Sequence, residues 1–234
     1  MFKVDGINKS FDKQLVLNNI SFSADNEIKV IIGLNGCGKS TLLRIIAGIV
    51  KADSGTMYIG NKDITALEPE DRGIGYVPQH PALFNHLTAF ENVRYCLKNK
   101  RGDEKLIEQL FDMLELRDNL MKKAGALSGG FKSRVSLARS LASSPSVMLL
   151  DEPLSDVDVA IKVRLLPAFR KVLKFMNVPV LYVTHDTMEA SQIGDSYALM
   201  ANGQFTHMDS VEATFESLKQ NYLALAGLSE PPAS

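Results

Sequence analysis

Only two cysteines, Cys37 and Cys96, occur in 234 residues. That excludes a disulfide-stapled scaffold, and both read as reduced thiols. Neither sign of charge dominates: 26 basic against 27 acidic residues leave a net charge of −1. A general basic field for a nucleic acid or an anionic membrane is therefore excluded, although a small anion held by backbone dipoles is not. No apolar run approaches the ~18 residues of a membrane span. The opening residues MFKVDG lack the apolar segment of a signal peptide, so any membrane link is expected to go through a partner. There is no internal repeat and no low-complexity segment. At 45% hydrophobic, the chain can bury a sizeable core, as one large or two small domains.

What is present is concentrated in residues 28–41, IKVIIGLNGCGKST. Val30, Ile31 and Ile32 suit a buried strand, and the run ends in Gly33-Leu34-Asn35-Gly36-Cys37-Gly38-Lys39-Ser40, the G-x-x-x-x-G-K-[ST] phosphate loop. Its glycines let backbone N–H groups turn inward, and the helix predicted from Leu42, Leu43, Ile45, Ile46 and Ile49 presents its positive end. Lys39 can reach outer phosphates and Ser40 can ligate magnesium. A triphosphate fits this description. For Cys37 the loop chemistry asks only for a small residue.

Around this loop the pattern is that of an α/β chain. Strands are predicted at 2–4, 16–22, 56–59, 74–77, 147–150 and 181–184, and a hairpin at 197–208 turns on Asn202-Gly203. Phe11 falls in the first turn, where it could stack on a base or cap the sheet edge. Gln79 ends a strand and could face a metal-bound water or simply solvent. His80 and His86 lack metal-ligand spacing and read as loop histidines. Residues 88–144 change to helical spacing, through Phe90, Val93, Leu97, Leu106, Ile107, Leu110, Phe111 and Leu114, as expected for a helical insertion. Leu127-Ser128-Gly129-Gly130 opens a second helix N-terminus suited to an anion. Asp151 and Glu152 leave the carboxyl end of an apolar strand, where open α/β sheets bind ligands, and His185 ends another. A helix from about Asp158 contains Pro167, which is expected to kink or restart it.

In this order the residues resemble the ATP-binding subunit of an ABC transporter, over nearly the whole chain. Gly33 to Ser40 match the Walker A loop, Gln79 the Q-loop, Leu127 to Gly130 the signature motif, Val147 to Asp151 the Walker B strand, Asp158 the D-loop and His185 the switch histidine. The resemblance implies an α/β P-loop NTPase core, with a mixed sheet, helices and an N-terminal antiparallel β subdomain, over 1–87 and 146–226. A helical signature subdomain is implied over 88–145 and a frayed tail over 227–234, with no C-terminal regulatory domain. It further implies ATP and Mg²⁺ as ligands: nucleotide contacts from Phe11, Gly33, Leu34, Asn35, Gly36, Cys37, Gly38, Lys39, Ser40, Thr41 and Gln79, and from Ser128, Gly129 and Gly130 of a second copy. Phe11 would stack on adenine. Ser40, Gln79 and Asp151 would serve the metal, and Glu152, His185 and Lys39 the hydrolysis.

Two positions depart from the family pattern. Phe131 stands where Gln is usual, removing a polar side chain next to the composite site, and Asp156 replaces a small residue near the surface that signals across the dimer. The segments 69–79 and 82–88 look most like importers of oxyanions such as molybdate or tungstate, with sulfate, polyamine, iron and sugar importers close behind. Such a subunit is expected to form a homodimer around ATP, on the inner face of the cell membrane. It would contact permease subunits near Leu83 and Phe84, meet an external binding protein only indirectly, and bind no nucleic acid.

Overall fold

The computed structural model describes residues 1–12 and 14–225; the expected tail at 227–234 lies outside them. In chain order the elements are β1 (Phe2–Phe11), β2 (Gln14–Ala24), β3 (Ile28–Ile32), α1 (Lys39–Ile46), β4 (Ser54–Ile59), β5 (Lys62–Asp63), β6 (Ile74–Val77), α2 (Ala89–Val93) and α3 (Glu104–Met113). They continue with α4 (Gly129–Leu141), β7 (Val147–Asp151), α5 (Val159–Met176), β8 (Val180–Thr184), α6 (Thr187–Ile193), β9 (Ser196–Ala201), β10 (Gln204–Met208) and α7 (Val211–Leu225).

Two sheets result. One is four-stranded, in the order β2-β1-β4-β5, with the pairs antiparallel. The other is six-stranded, β10-β9-β3-β8-β7-β6, parallel except for the β9–β10 hairpin. All residues of β3, β7 and β8 are buried, because a parallel sheet covered on both faces has no solvent side. Alternation then divides the core. Ile28, Val30, Ile32, Met148, Leu150, Val180 and Tyr182 pack with the helical insertion and α5. Ile31, Val147, Leu149, Leu181 and Val183 pack with α1 and the antiparallel sheet. The insertion thus shares its apolar core with one sheet face; Val93, Ile107, Phe111 and Val135 belong to that same cluster. Its entry is fixed by a capping box of Thr88 and Glu91 and by backbone bonds from Ala89 to Lys122 and from Phe90 to Leu120.

The first two strands run longer than expected, so that Phe11 is the last residue of β1 and not part of the turn. The Asn-Gly hairpin forms as predicted, with φ of 50° at Asn202 and 72° at Gly203. Pro167 does not interrupt α5. It lies on the exposed side, and the carbonyl its ring denies a partner, that of Val163, belongs to a residue that is itself exposed, so water can take the place of the missing bond. Among the described residues no helix is long and apolar enough to cross a membrane.

Candidate active site: a phosphate pocket at the end of β3

At the carboxyl end of β3 the chain turns through Gly33–Gly38 into α1, and the glycines there answer to contacts. A Cβ on Gly33 would stand 2.3 Å from the carbonyl oxygen of Met200, and Gly38, the N-cap of α1, has φ of 104°. The Lys39 ammonium bends back over its own loop and donates to the carbonyls of Gly33 (2.8 Å) and Leu34 (2.9 Å). Ser40, one residue on, donates from Oγ to Asp151 Oδ1 at 2.9 Å, tying α1 to the end of β7. The other Asp151 oxygen accepts from the Tyr76 hydroxyl at 3.1 Å. Burial first, and then the Asp151 carboxylate, push the Tyr76 phenol up to about 12, so it is a fixed donor.

Glu152 follows Asp151 with φ of 47°, a left-handed conformation that side chains other than glycine rarely adopt. The Glu152 N–H still bonds to the Val183 carbonyl at 3.0 Å, so the turn holds while the carboxylate swings toward the neighbouring strand end. There it meets His185 Nδ1 at 3.0 Å. Glu152 is largely buried and His185 half-exposed, so the pair sits at a rim. Strain of this kind, of order 1–3 kcal/mol, is retained where surrounding structure over-determines it, as at catalytic turns.

These groups enclose one pocket of about 370 Å³, lined by Asn35, Gly36, Gly38, Lys39, Ser40, Thr41, Gln79, Glu152, Ser155 and His185. Four separately predicted segments of sequence therefore converge on it. Leu34 and Cys37 line a different groove behind the loop, with Val16 and Met200; their side chains leave the pocket while their backbone stays in the loop. Burial raises the Cys37 thiol pKa against the pull of Lys39, which keeps it protonated and unreactive. Phe11 is exposed at the end of β1, under the Lys9 ammonium 5.1 Å from the ring centroid. It does not line the pocket. Ser128 and Gly129 are exposed at the start of α4, also away from the pocket, while Gly130 is buried against Ile161 and Leu165.

Three contacts could not be read from sequence spacing. His80 Nδ1 lies 2.9 Å from Asp156 Oδ2, joining the segment after Gln79 to the loop after Glu152. Asn92, fully buried, accepts from the Phe84 N–H and donates to the Phe84 and Thr88 carbonyls, shaping the 84–88 loop. Phe84 meets the tilted ring of Tyr95 (centroids 4.7 Å apart, planes 46° apart) and lies under the Arg139 guanidinium (4.2 Å), and Leu83 packs on the core. The Phe131 ring is buried in the core of the chain, with the Arg134 guanidinium 4.8 Å above it.

Comparison with known proteins agrees with this geometry. The family described as ABC transporter matches residues 17–155. The molybdate/tungstate import ATP-binding protein WtpC of Methanocaldococcus jannaschii is 40% identical over 87% of this chain and 69% of its own length. The spermidine/putrescine import ATP-binding protein PotA of Fusobacterium nucleatum is 37% identical over 93% of this chain and 59% of its own. Among solved structures, a dimeric bacterial ABC transporter cassette superposes with a TM-score of 0.77 at 28% identity, over 90% of this chain and all of that one. With the fold, the phosphate loop and the paired strand-end carboxylates all in place, this chain belongs to the ABC transporter family, as one of its ATP-hydrolysing cassettes.

Proposed function

We propose that the chain works as a homodimeric motor on the inner face of a cell membrane, driving a permease that imports an oxyanion such as molybdate or tungstate. The observation that carries the chemistry is the convergence of Lys39, Ser40 and Gln79 with the Glu152–His185 pair around one pocket. The donors near Ser40 suit magnesium: a hydroxyl, a carboxylate and an amide are hard oxygen ligands, and Ser40 Oγ already lies 2.9 Å from Asp151. Ser40, Asp151 and, through water, Gln79 would hold that ion, which neutralises phosphate charge when bound. Lys39 would exchange its two loop carbonyls for phosphate oxygens. Glu152 accepts the proton of the attacking water, and His185 orients Glu152 and reaches the terminal phosphate. Such catalysis depends mainly on positioning and charge.

The nucleotide-binding core takes residues 1–87 and 146–226 and the signature subdomain 88–145. Phe11 stacks on adenine, and Ser128 to Gly130 of a second copy close over the phosphates. Leu83 and Phe84, braced by Tyr95 and Arg139, meet a permease helix. Identity to a molybdate/tungstate importer subunit supports the oxyanion. The comparable identity to a polyamine importer subunit supports a second reading, import of another solute.

Co-purification of the chain with its permease, followed by phosphate release assayed in proteoliposomes with molybdate, tungstate, sulfate or spermidine, tests the proposal. Stimulation by the first two alone is expected; stimulation by spermidine alone would reject the oxyanion assignment.

A further inference from the structure

Directly behind His185 lies a buried cluster of charge that the chemistry above leaves unused. Lys162, in the first turn of α5, is 7% exposed, and its ammonium lies 2.7 Å from Glu189 Oε1 and 3.1 Å from Asp186 Oδ2. Glu189, 2% exposed, accepts at its other oxygen from the Tyr182 and Thr184 hydroxyls, both at 3.0 Å. The Asp186 N–H donates to Thr184 Oγ1 (3.1 Å), and Asp186 Oδ1 accepts from the Met188 and Glu189 N–H groups. His185 is thus the one residue between two members of the network, Thr184 and Asp186.

A cluster of this kind is costly to build. Buried ions lose hydration, and well-packed apolar side chains of similar volume often serve stability as well or better. Its distinctive product is fixed geometry. All of the buried partners are satisfied, and their titration agrees: burial alone would lower the Lys162 pKa, but Glu189 and Asp186 hold it above the ordinary lysine range. Lys162 also stands at a junction. Its N–H bonds to the Asp158 carbonyl at 2.9 Å, so its backbone continues the loop that runs from Glu152 through Ser155 and Asp156. One end of the network therefore follows that loop and the other holds the turn carrying the imidazole.

We infer that Lys162 is a positioning residue for His185, linking the first turn of α5 to the β8–α6 turn so that displacement of the 155–158 loop is passed to the imidazole that holds Glu152. The inference rests on the proposed hydrolytic roles of Glu152 and His185, and it assigns an allied role to a residue that does not line their pocket. Electrostatics fixes the direction of effect. Without the ammonium, Asp186 and Glu189 repel each other across the space it filled, and the turn between them loosens.

Lys162→Met leaves the buried Glu189 and the partly exposed Asp186 without their cation and could simply unfold, so the decisive variant is Lys162→Met with Glu189→Gln, which removes the link without leaving Glu189 charged and unpaired. The chain has four histidines, so imidazole resonances can be followed individually by NMR beside ATP turnover, nucleotide affinity and thermal midpoint. The double variant is expected to fold with ATP affinity within about twofold and kcat down about tenfold. The His185 resonance should move while those of His80, His86 and His207 stay, and Lys162→Arg should restore both readouts. A double variant with unchanged kcat and an unmoved His185 resonance would overturn the inference, as would a loss of kcat explained wholly by a fall in folded fraction. Wild-type chain that binds ATP but releases no phosphate, while His185 still responds to the double variant, would reject the hydrolytic reading and leave the mechanical link standing.

Discussion

The N-termini of α1 and α4 both open beside glycines, yet the chain finishes only one of them. At α1 the surroundings are complete: Lys39 is buried and bonded to the loop, Ser40 reaches Asp151, and a pocket with Gln79, Glu152 and His185 stands over the helix end. At α4, Ser128 and Gly129 are exposed and do not line the pocket that holds Lys39. The two share one chemical trait. Neither has a side-chain cap nor an acidic residue in its first turn, a trait α5 also has, whereas α2, α3 and α6 have both. A helix end left with free N–H donors and no carboxylate is favourable to an anion. In the proposed homodimer each chain would hold half of a site at each of these ends, the α4 half completed by the phosphates held in the other copy.

The largest effect is expected at the finished end. Glu152→Gln should lower turnover about 10³-fold while ATP affinity is kept, and dimer should accumulate with ATP in size-exclusion chromatography. Lys39→Ala removes the only buried ammonium of the pocket among the described residues and should weaken ATP binding about 100-fold by calorimetry. The unfinished end should respond in opposite senses. Ser128→Asp supplies the cap α4 lacks and should raise the stability of the free chain by up to about 1 kcal/mol in urea titration. The same carboxylate should repel the partner's phosphates, abolishing ATP-driven dimers and lowering turnover about tenfold. If dimers persist, the α4 end has no part in the site. Smallest for function is Phe131→Gln. Loss of a buried ring should cost about 1–2 kcal/mol, partly offset if the amide reaches Arg134 Nε, a buried donor without a partner, and turnover should stay within about twofold.

Legibility followed the range of the interactions. The phosphate loop, the β9–β10 turn and the buried strands are local: glycine at positive φ, Asn-Gly in a two-residue loop and β-branched runs act within a few residues. The helix does not restart at Pro167: propensity does not say which side of a helix faces water, and here the exposed side absorbed the missing bond. The burial of Phe131 was out of reach for a similar reason. Its neighbours Gly129 and Gly130 mark a helix start, but only packing decides that the next residue turns inward. The partners of His80, Lys162 and Tyr76 come from a loop, a helix and a strand far away in sequence, and no spacing rule connects residue 80 to 156 or 162 to 189.

Residue types alone fixed the kind of chemistry, because a phosphate loop, strand-end carboxylates and a strand-end histidine carry their chemistry with them. Tertiary structure decided which of those groups meet. Parallel pairing of β3, β7 and β8 sets Ser40 against Asp151 and Glu152 against His185, and a buried lysine braces the turn behind them. Such contacts depend on angles and distances that accumulate across the whole fold, so a linear order of residues can name the participants but cannot arrange them.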